Sequence, residues 1–142
     1  MKVKILLVDD EKEFVETLAD RLEIRDFDVT TALSGDEAIS LIQERDFDVV
    51  VLDVLMPGRD GIDTFREIKK LRPLAQIIML TGNATVETAI EGMRLGAFDY
   101  LMKPTETEHL VEKITKAHKV KAEHDDRIRQ AEVDEIIKRR GW

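Results

Sequence analysis

The sequence predicts an α/β fold in which a doubly wound parallel sheet of five strands is followed by a C-terminal helical extension. Short apolar runs alternate strictly with amphipathic helical patterns over the first 118 residues. Several of these runs are continuously apolar, as in strands that are buried on both faces. Strict alternation implies parallel strands joined by right-handed crossovers, with helices covering both faces of the sheet.

The first half of the chain contains three strands and three helices in this prediction. Residues 3–8 are apolar apart from Lys4, residues 27–31 alternate as in an edge strand, and residues 47–52, apart from Asp48, are apolar enough for the sheet centre. Ser34 and Glu37 form a capping box that opens the second helix. The residues expected on the buried faces of the three helices are Phe14, Val15, Leu18 and Leu22, then Ala38, Leu41 and Ile42, then Ile62, Phe65 and Ile68.

The second half repeats the pattern twice. Residues 77–80 and 98–102 predict the fourth and fifth strands. Gly96 is expected to end the fourth helix as a left-handed C-cap, and Thr105 with Glu108 predicts a capping box for the fifth. One face of the fourth helix carries Val86, Ala89, Ile90 and Met93, and the inward residues of the fifth are Leu110, Ile114 and Ala117.

The character of the chain changes near Lys119. We therefore divide it into a domain of residues 1–118 and a charged helical extension of residues 119–142, whose basic residues 138–140 precede Gly141 as at a helix C-terminus. A solvated helix explains this extension as well as a partner-binding or self-associating helix does, because its heptad spacing is irregular.

Composition excludes several functional classes. The 142 residues carry 22 Lys and Arg against 30 Asp and Glu, a formal charge of -8, and a basic face is confined to residues 138–140. Nucleic-acid binding by this chain is therefore not expected. The chain has no cysteine, no run long enough to span a membrane and no signal peptide, so no membrane association is expected and the cytoplasm is the expected location.

Acidic residues follow two of the predicted strands. Asp9 and Asp10 come after the first strand and Asp53 after the third, while Thr81 follows the fourth and Lys103 the fifth. The carboxyl ends of parallel strands meet at one sheet edge, where ligands bind in open α/β sheets. Clustered carboxylates suit a hard cation such as Mg²⁺, and a carboxylate can attack phosphorus once charge on the phosphoryl group is neutralised.

Three of these residues have simpler structural explanations. Asp10 could cap the first helix with Glu13, Asp53 could form a turn, and Thr81 could cap the following helix. Capping leaves the adjacent charge of Asp9 unexplained unless a cation compensates both aspartates. Acids follow the first and third strands, and Lys103 follows the fifth strand. This combination favours a site for Mg²⁺ and a phosphoryl group.

The set of motif residues resembles the receiver (CheY-like) domain of bacterial two-component response regulators over residues 3–118. The motifs are, in order, Asp9 and Asp10, Asp53, Met56-Pro57-Gly58 with Asp60-Gly61, Thr81, Tyr100 and Lys103-Pro104. The resemblance implies a flavodoxin-like sheet with strand order 2-1-3-4-5. It also implies a phosphorylation-dependent signalling switch that catalyses only its own phosphorylation and dephosphorylation.

The family resemblance assigns roles at the predicted metal site. Asp53 is expected to accept a phosphoryl group from a phosphohistidine of a sensor histidine kinase or phosphotransfer protein. Mg²⁺ would be held by Asp10 directly, by Asp9 through water, by Asp53, and by the backbone carbonyl of Leu55.

The resemblance also assigns the residues that would transmit the signal. Lys103 would neutralise one phosphoryl oxygen, and Thr81 with Tyr100 would form the switch pair. A downstream protein would then bind the face around Tyr100. The bond between Lys103 and Pro104 is expected to be cis.

Alternative functions remain open at this point. The chain could be a monomer or a phosphorylation-dependent dimer, and it could be a stand-alone receiver, which its last two residues favour, or a receiver fragment of a longer transcriptional regulator. An aspartyl-nucleophile phosphatase would need a second acid at position 55, which is Leu55. Histidine phosphorylation at His109, His118 or His124 is disfavoured, because these residues lie on a charged face.

Overall fold

The computed structural model describes residues 2–54, 61–82 and 86–141, and the side chain of Val86 lies outside this description. Strands and helices alternate throughout. In chain order the elements are β1 (Lys4–Val8), α1 (Lys12–Ile24), β2 (Asp28–Ala32), α2 (Gly35–Glu44), β3 (Val49–Leu52), α3 (Gly61–Leu71), β4 (Gln76–Thr81), α4 (Val86–Arg94), β5 (Asp99–Met102) and α5 (Thr107–Arg140).

The five strands form one parallel sheet in the order β2-β1-β3-β4-β5. This order confirms the predicted doubly wound sheet, with β2 at one edge and β3 in the centre. β1 and β3 are direct neighbours, and Val8 is paired with Leu52 at their carboxyl ends. Residues that follow β1 and β3 therefore emerge side by side.

The hydrophobic core has two layers, one on each face of the sheet. Leu6, Val50 and Leu52 point into the layer covered by α2 and α3, whereas Leu7 and Val51 point into the layer covered by α1 and α5. Successive strand residues face opposite sides, so a continuously apolar strand supplies both layers. Burial of both faces fixes the register, because a slip of one residue would exchange the two layers.

Most residues predicted to face inward are buried. Phe14 and Leu41 are only partly buried, and Ile39 is buried although it was not predicted to be. In α4, Ile90 and Met93 are 46 % and 47 % exposed, so this predicted apolar face is turned largely to solvent. The buried predicted positions are Val15, Leu18, Leu22, Ala38, Ile42, Ile62, Phe65, Ile68, Leu110, Ile114 and Ala117.

Helix α4 lies on the sheet through a glycine. A Cβ atom added to Gly92 would lie 2.1 Å from the sulfur of Met79, so a larger residue here would displace the end of the buried Met79 side chain. Gly96, with φ of 102°, follows α4 as the predicted left-handed residue.

The two predicted capping boxes behave differently. Ser34 Oγ accepts a hydrogen bond from Glu37 N at 3.1 Å, as predicted, although the Glu37 carboxylate bonds Leu33 N instead of Ser34 N. The prediction for Thr105 and Glu108 was wrong, since the N-cap of α5 is Glu106 and it makes no side-chain capping bond. The Glu108 carboxylate instead accepts a hydrogen bond from Arg25 Nε at 2.7 Å, which ties α5 to the end of α1.

Helix α5 runs without interruption for 34 residues and ends at Gly141, which adopts a left-handed conformation after a basic last turn. Lys121, four residues after the last buried apolar residue of α5, is itself buried. Its Nζ lies 3.1 Å from Asp125, 3.3 Å from Asp48 and 3.9 Å from Asp46. These ion pairs fasten α5 to the segment that leads into β3.

Candidate functional site

Asp9, Asp10 and Asp53 converge at the carboxyl edge of the sheet, as the sequence predicts. Their carboxylate oxygens all lie within 4.8 Å of one another. Asp9 and Asp53 are only 2 % and 5 % exposed, whereas Asp10 is exposed. Two buried carboxylates so close to each other require a compensating positive charge.

The sheet backbone positions the two buried aspartates. Asp9 N donates to the carbonyl of Ala32 at 3.1 Å, and Asp53 N donates to the carbonyl of Val8 at 2.9 Å. Each aspartate thus continues the hydrogen-bond ladder one step beyond its strand. Asp9 Oδ1 also accepts a hydrogen bond from Glu11 N at 3.0 Å, which orients its carboxylate.

Lys103 supplies positive charge to this cluster. Its Nζ lies 2.5 Å from Asp9 Oδ2, 3.0 Å from Glu11 Oε1 and 3.6 Å from Asp53 Oδ2. The same nitrogen lies 4.2 Å from the centroid of the Phe14 ring, within the range of a cation–π contact. Lys103 N donates to the carbonyl of Thr81, which holds the end of β5 beside β4, and the peptide bond to Pro104 is cis.

The pKa shifts show that the negative charge is only partly compensated. Burial lowers the pKa of Lys103, but its hydrogen bonds to Asp9 and Glu11, together with the charges of Asp9 and Asp53, raise the pKa above the ordinary value. Burial raises the pKa of Asp9, and the hydrogen bond from Lys103 does not fully offset that rise. The nearby charge of Asp53 raises the pKa of Asp9 further. A second cation at this edge would therefore stabilise the ionised aspartates.

Thr81 and Tyr100 lie on the two neighbouring strands of the same region. Thr81 is the buried last residue of β4, and Tyr100 is partly buried in β5 beside Met79. Among the described residues, no group forms a hydrogen bond with the buried Tyr100 hydroxyl. Burial and the charge of Asp53 raise the pKa of Tyr100, so its phenol stays neutral at physiological pH.

Other predicted motif residues have mixed outcomes. Leu55 and the turn Met56-Pro57-Gly58 with Asp60 lie outside the described residues. Gly61, the last of these motif residues, begins α3 so close to the chain after Asp53 that an added Cβ would lie 2.1 Å from the carbonyl oxygen of Val54. The alternative role of Asp10 as the cap of α1 was wrong, because the N-cap of α1 is Glu11.

Two contacts of Lys103 were not predicted from the sequence. Glu11 was not singled out, although it continues the acidic run of Asp9 and Asp10. Phe14 was assigned only to the buried stripe of α1, whereas its ring also contacts the Lys103 ammonium. The acidic run is the signal that could have identified Glu11. Nothing near Phe14 in the sequence indicates its contact with Lys103, which directly follows β5.

The donor set at this edge fits a hard divalent cation. Three carboxylates offer oxygen ligands, and in the part of the chain that the structure describes no histidine or cysteine belongs to this group. Oxygen-only coordination suits Mg²⁺ or Ca²⁺, and Mg²⁺ commonly combines one or two carboxylates with phosphate oxygens. The sheet topology and the residues at its carboxyl edge define the class of protein. It is a doubly wound α/β domain whose carboxyl edge carries a cluster of aspartates beside Lys103.

Comparison with known proteins identifies the family. Residues 5–115 match the response regulator receiver domain, and the chain belongs to that family. It is therefore a phosphoacceptor signalling module of two-component systems, whose members interact with histidine kinases and downstream effector domains.

Individual relatives agree with this assignment. The chain is 40 % identical over 116 residues to the transcriptional regulatory protein ZraR of Salmonella typhimurium, covering 82 % of the chain and 26 % of ZraR. It thus spans about a quarter of the length of the curated relatives that it matches.

Solved structures show the same fold. A CheY-like receiver domain from Methanospirillum hungatei is 28 % identical with a TM-score of 0.84, covering 87 % of this chain and 99 % of that one. A response regulator protein from Burkholderia pseudomallei, solved with a phosphorylated aspartic acid, calcium ion and citrate, is 28 % identical with a TM-score of 0.77. That match covers 99 % of this chain and 86 % of the other.

None of the described helices is both long enough and apolar enough to cross a membrane.

Proposed function

We propose that Asp53 is the phosphoacceptor of this receiver and takes its phosphoryl group from a phosphohistidine on a sensor histidine kinase or phosphotransfer protein. The observation that carries this proposal is the position of Asp53, which is buried beside two other aspartates and lies 3.6 Å from the Lys103 ammonium. The phosphorylated aspartic acid in the similar Burkholderia protein supports the same chemistry.

The proposed reaction is a displacement at phosphorus. A carboxylate oxygen of Asp53 forms a bond to phosphorus while the bond from phosphorus to the histidine nitrogen breaks, and the electron pair stays on that nitrogen. Lys103 donates a hydrogen bond to one phosphoryl oxygen, and the Thr81 hydroxyl donates to another. The chain catalyses only this transfer and the later hydrolysis, and has no separate substrate.

Mg²⁺ is the cation proposed for the acidic edge. Asp10, Asp9 and Asp53 would hold it, and the backbone carbonyl of Leu55 would be a fourth ligand outside the described residues. When bound, the ion neutralises charge on the aspartates and on the phosphoryl oxygens. The raised pKa of Asp9, caused first by burial, supports a site in which a further cation is needed.

Thr81 and Tyr100 are proposed to transmit phosphorylation to a partner protein. The Tyr100 hydroxyl is already buried, and among the described residues no group hydrogen-bonds it, so the ring can take another position without breaking such a bond. Next to it, α4 and β5 expose Ile90, Met93 and Met102, each close to half exposed. We assign partner binding to this surface around Tyr100.

The division into a receiver of residues 1–118 and an extension of residues 119–142 is also a proposal. Ala117 is the last buried apolar residue in the described part of α5. Beyond it the helix exposes mainly charged side chains, and only Lys121 is fully buried.

Incubation with acetyl phosphate and Mg²⁺ tests the phosphoacceptor directly. We expect intact-mass measurement to show one added phosphoryl group on the unmodified chain and on the control Asp20→Asn, which removes an exposed aspartate of α1. Asp53→Asn should show none. Undiminished phosphoryl incorporation in Asp53→Asn would remove this residue from its proposed role.

A further inference from the structure

Lys103 contacts acids that differ sharply in their exposure. The side chains of Asp9 and Asp53 are 3 % and 6 % exposed, whereas that of Glu11 is 64 % exposed. The Lys103 side chain itself is only 12 % exposed. Glu11 therefore reaches the ammonium from the solvent, while Asp9 and Asp53 contact it from inside the protein.

The carboxylate of Glu11 has no role in capping its helix. Glu11 occupies the N-cap position of α1, yet its side chain makes no capping hydrogen bond. Its backbone N–H donates to Asp9 Oδ1 at 3.0 Å, which holds the residue against the acidic cluster. The carboxylate is used instead to accept a hydrogen bond from Lys103 Nζ at 3.0 Å.

The ammonium of Lys103 is held closer to Asp9 and Glu11 than to Asp53. Its Nζ lies 2.5 Å from Asp9 and 3.0 Å from Glu11, whereas its 3.6 Å distance to Asp53 is longer than a hydrogen bond, and the Phe14 ring lies against the same nitrogen. We therefore expect the ammonium to move when it donates a hydrogen bond to a phosphoryl oxygen on Asp53. Of the three contacts, the one with Glu11 requires the least free energy to break, because the exposed Glu11 carboxylate is hydrated by water when Lys103 leaves.

We propose that Glu11 is a positioning residue that restrains Lys103 and thereby slows phosphorylation of Asp53. This inference rests on the function proposed above. Lys103 leaves Glu11 when it moves to the phosphoryl oxygen, so the strength of the contact with Glu11 is part of the barrier to phosphorylation. A receiver without this contact would be phosphorylated faster by the same donor.

The rate of phosphorylation by acetyl phosphate at saturating Mg²⁺ tests this role. Glu11→Gln should raise the rate about two- to fivefold, the effect expected when a partly exposed ion pair is lost. Glu13→Gln is the matched control, since Glu13 lies in the first turn of the same helix and, in the described part of the chain, is not among the acids paired with Lys103. An unchanged rate in Glu11→Gln would overturn the proposal.

A double mutant separates this role from simple charge repulsion. In a Lys103→Ala background, Glu11→Gln should no longer change the rate, because the two substitutions remove the same contact. An equal acceleration with and without Lys103 would mean that Glu11 merely repels the anionic donor, and the proposal would be wrong.

A second readout does not depend on phosphorylation. In the metal-free, isotope-labelled protein, the shielded Lys103 ammonium should give a sharp NMR signal that broadens in Glu11→Gln as its exchange with water becomes faster. An unaltered signal would contradict the contact. If the unmodified chain accepted no phosphoryl group while this signal still broadened, the phosphoacceptor assignment would fail and the restraint of Lys103 by Glu11 would stand.

Discussion

Two buried lysines lie at opposite edges of the sheet, and among the described residues each contacts three acids. Lys103 at the carboxyl edge has a side chain 12 % exposed, and Lys121 at the amino edge has one 8 % exposed. Burial lowers the pKa of each lysine, but hydrogen bonds to acids and the charges of those acids together raise it above the ordinary value. By composition alone the two clusters are nearly equivalent.

The surroundings of the acids distinguish the two edges. At the amino edge, Asp46, Asp48 and Asp125 are 58 %, 22 % and 27 % exposed, so water shares the task of solvating them. At the carboxyl edge, Asp9 and Asp53 are almost completely buried. Lys121 together with water therefore compensates the charge of the acids at the amino edge. Lys103 alone does not fully compensate the buried acids at the carboxyl edge. The amino edge is therefore a structural clamp, while the carboxyl edge is suited to take up another cation.

The largest expected effect comes from removing the lysine at the carboxyl edge. Lys103→Met leaves Asp9 and Asp53 buried together without an ammonium, which should cost about 3 kcal/mol of the free energy of unfolding in the absence of divalent metal. Mg²⁺ should restore much of this loss, since it supplies the missing charge. Urea unfolding with EDTA and with Mg²⁺ measures both quantities, and a loss that Mg²⁺ leaves unaltered would contradict the difference between the edges.

An intermediate effect is expected at the amino edge. Lys121→Met should cost about 1 to 2 kcal/mol, because the acids it leaves behind are partly hydrated. The loss should be the same with EDTA and with Mg²⁺. Hydrogen exchange should also become faster in the part of α5 beyond position 121, where the clamp has been removed. Lys119→Met, an exposed change on the same helix, is the control and should leave stability nearly unaltered.

The smallest expected effect concerns alkaline pH. The pKa of Lys121 is raised above 10.5 in the folded protein, so its contribution to stability is complete below that pH and disappears as pH rises through the folded value. Lys121→Met should lack this contribution and show a shallower loss of stability above pH 10.5, by less than about 1 kcal/mol. Parallel slopes for the two proteins in alkaline urea titrations would argue against a clamp based on charge.

The sheet was predictable from the sequence, because the signal for each strand is local. The continuous apolar run of β3 is visible within a few residues and matches a strand whose residues are all buried. The alternation around β2 correctly indicated an edge strand, although Thr31 is exposed and Ala32 is buried. The acids at the carboxyl edge were predictable for the same reason, since each directly follows a strand. Their convergence follows from the parallel topology once the strands are assigned.

Contacts between residues far apart in the chain could not be predicted in the same way. Glu108 fits the pattern of a capping residue, yet it is bound by Arg25 from another helix. Lys121 stands in the charged extension, for which a solvated helix and a partner-binding helix were both open, and Asp46 and Asp48 approach it from the loop before β3. No periodicity encodes such pairings, because they depend on how separate elements pack together.

The uninterrupted course of α5 makes it a lever arm. From Lys121 to Arg140 the helix rises about 28 Å, at about 1.5 Å per residue. A tilt of about 10° at the clamp would carry the far end through about 5 Å, because a straight helix transmits rotation in proportion to its length. Small rearrangements of the sheet around Lys121 would thus be magnified at Arg140.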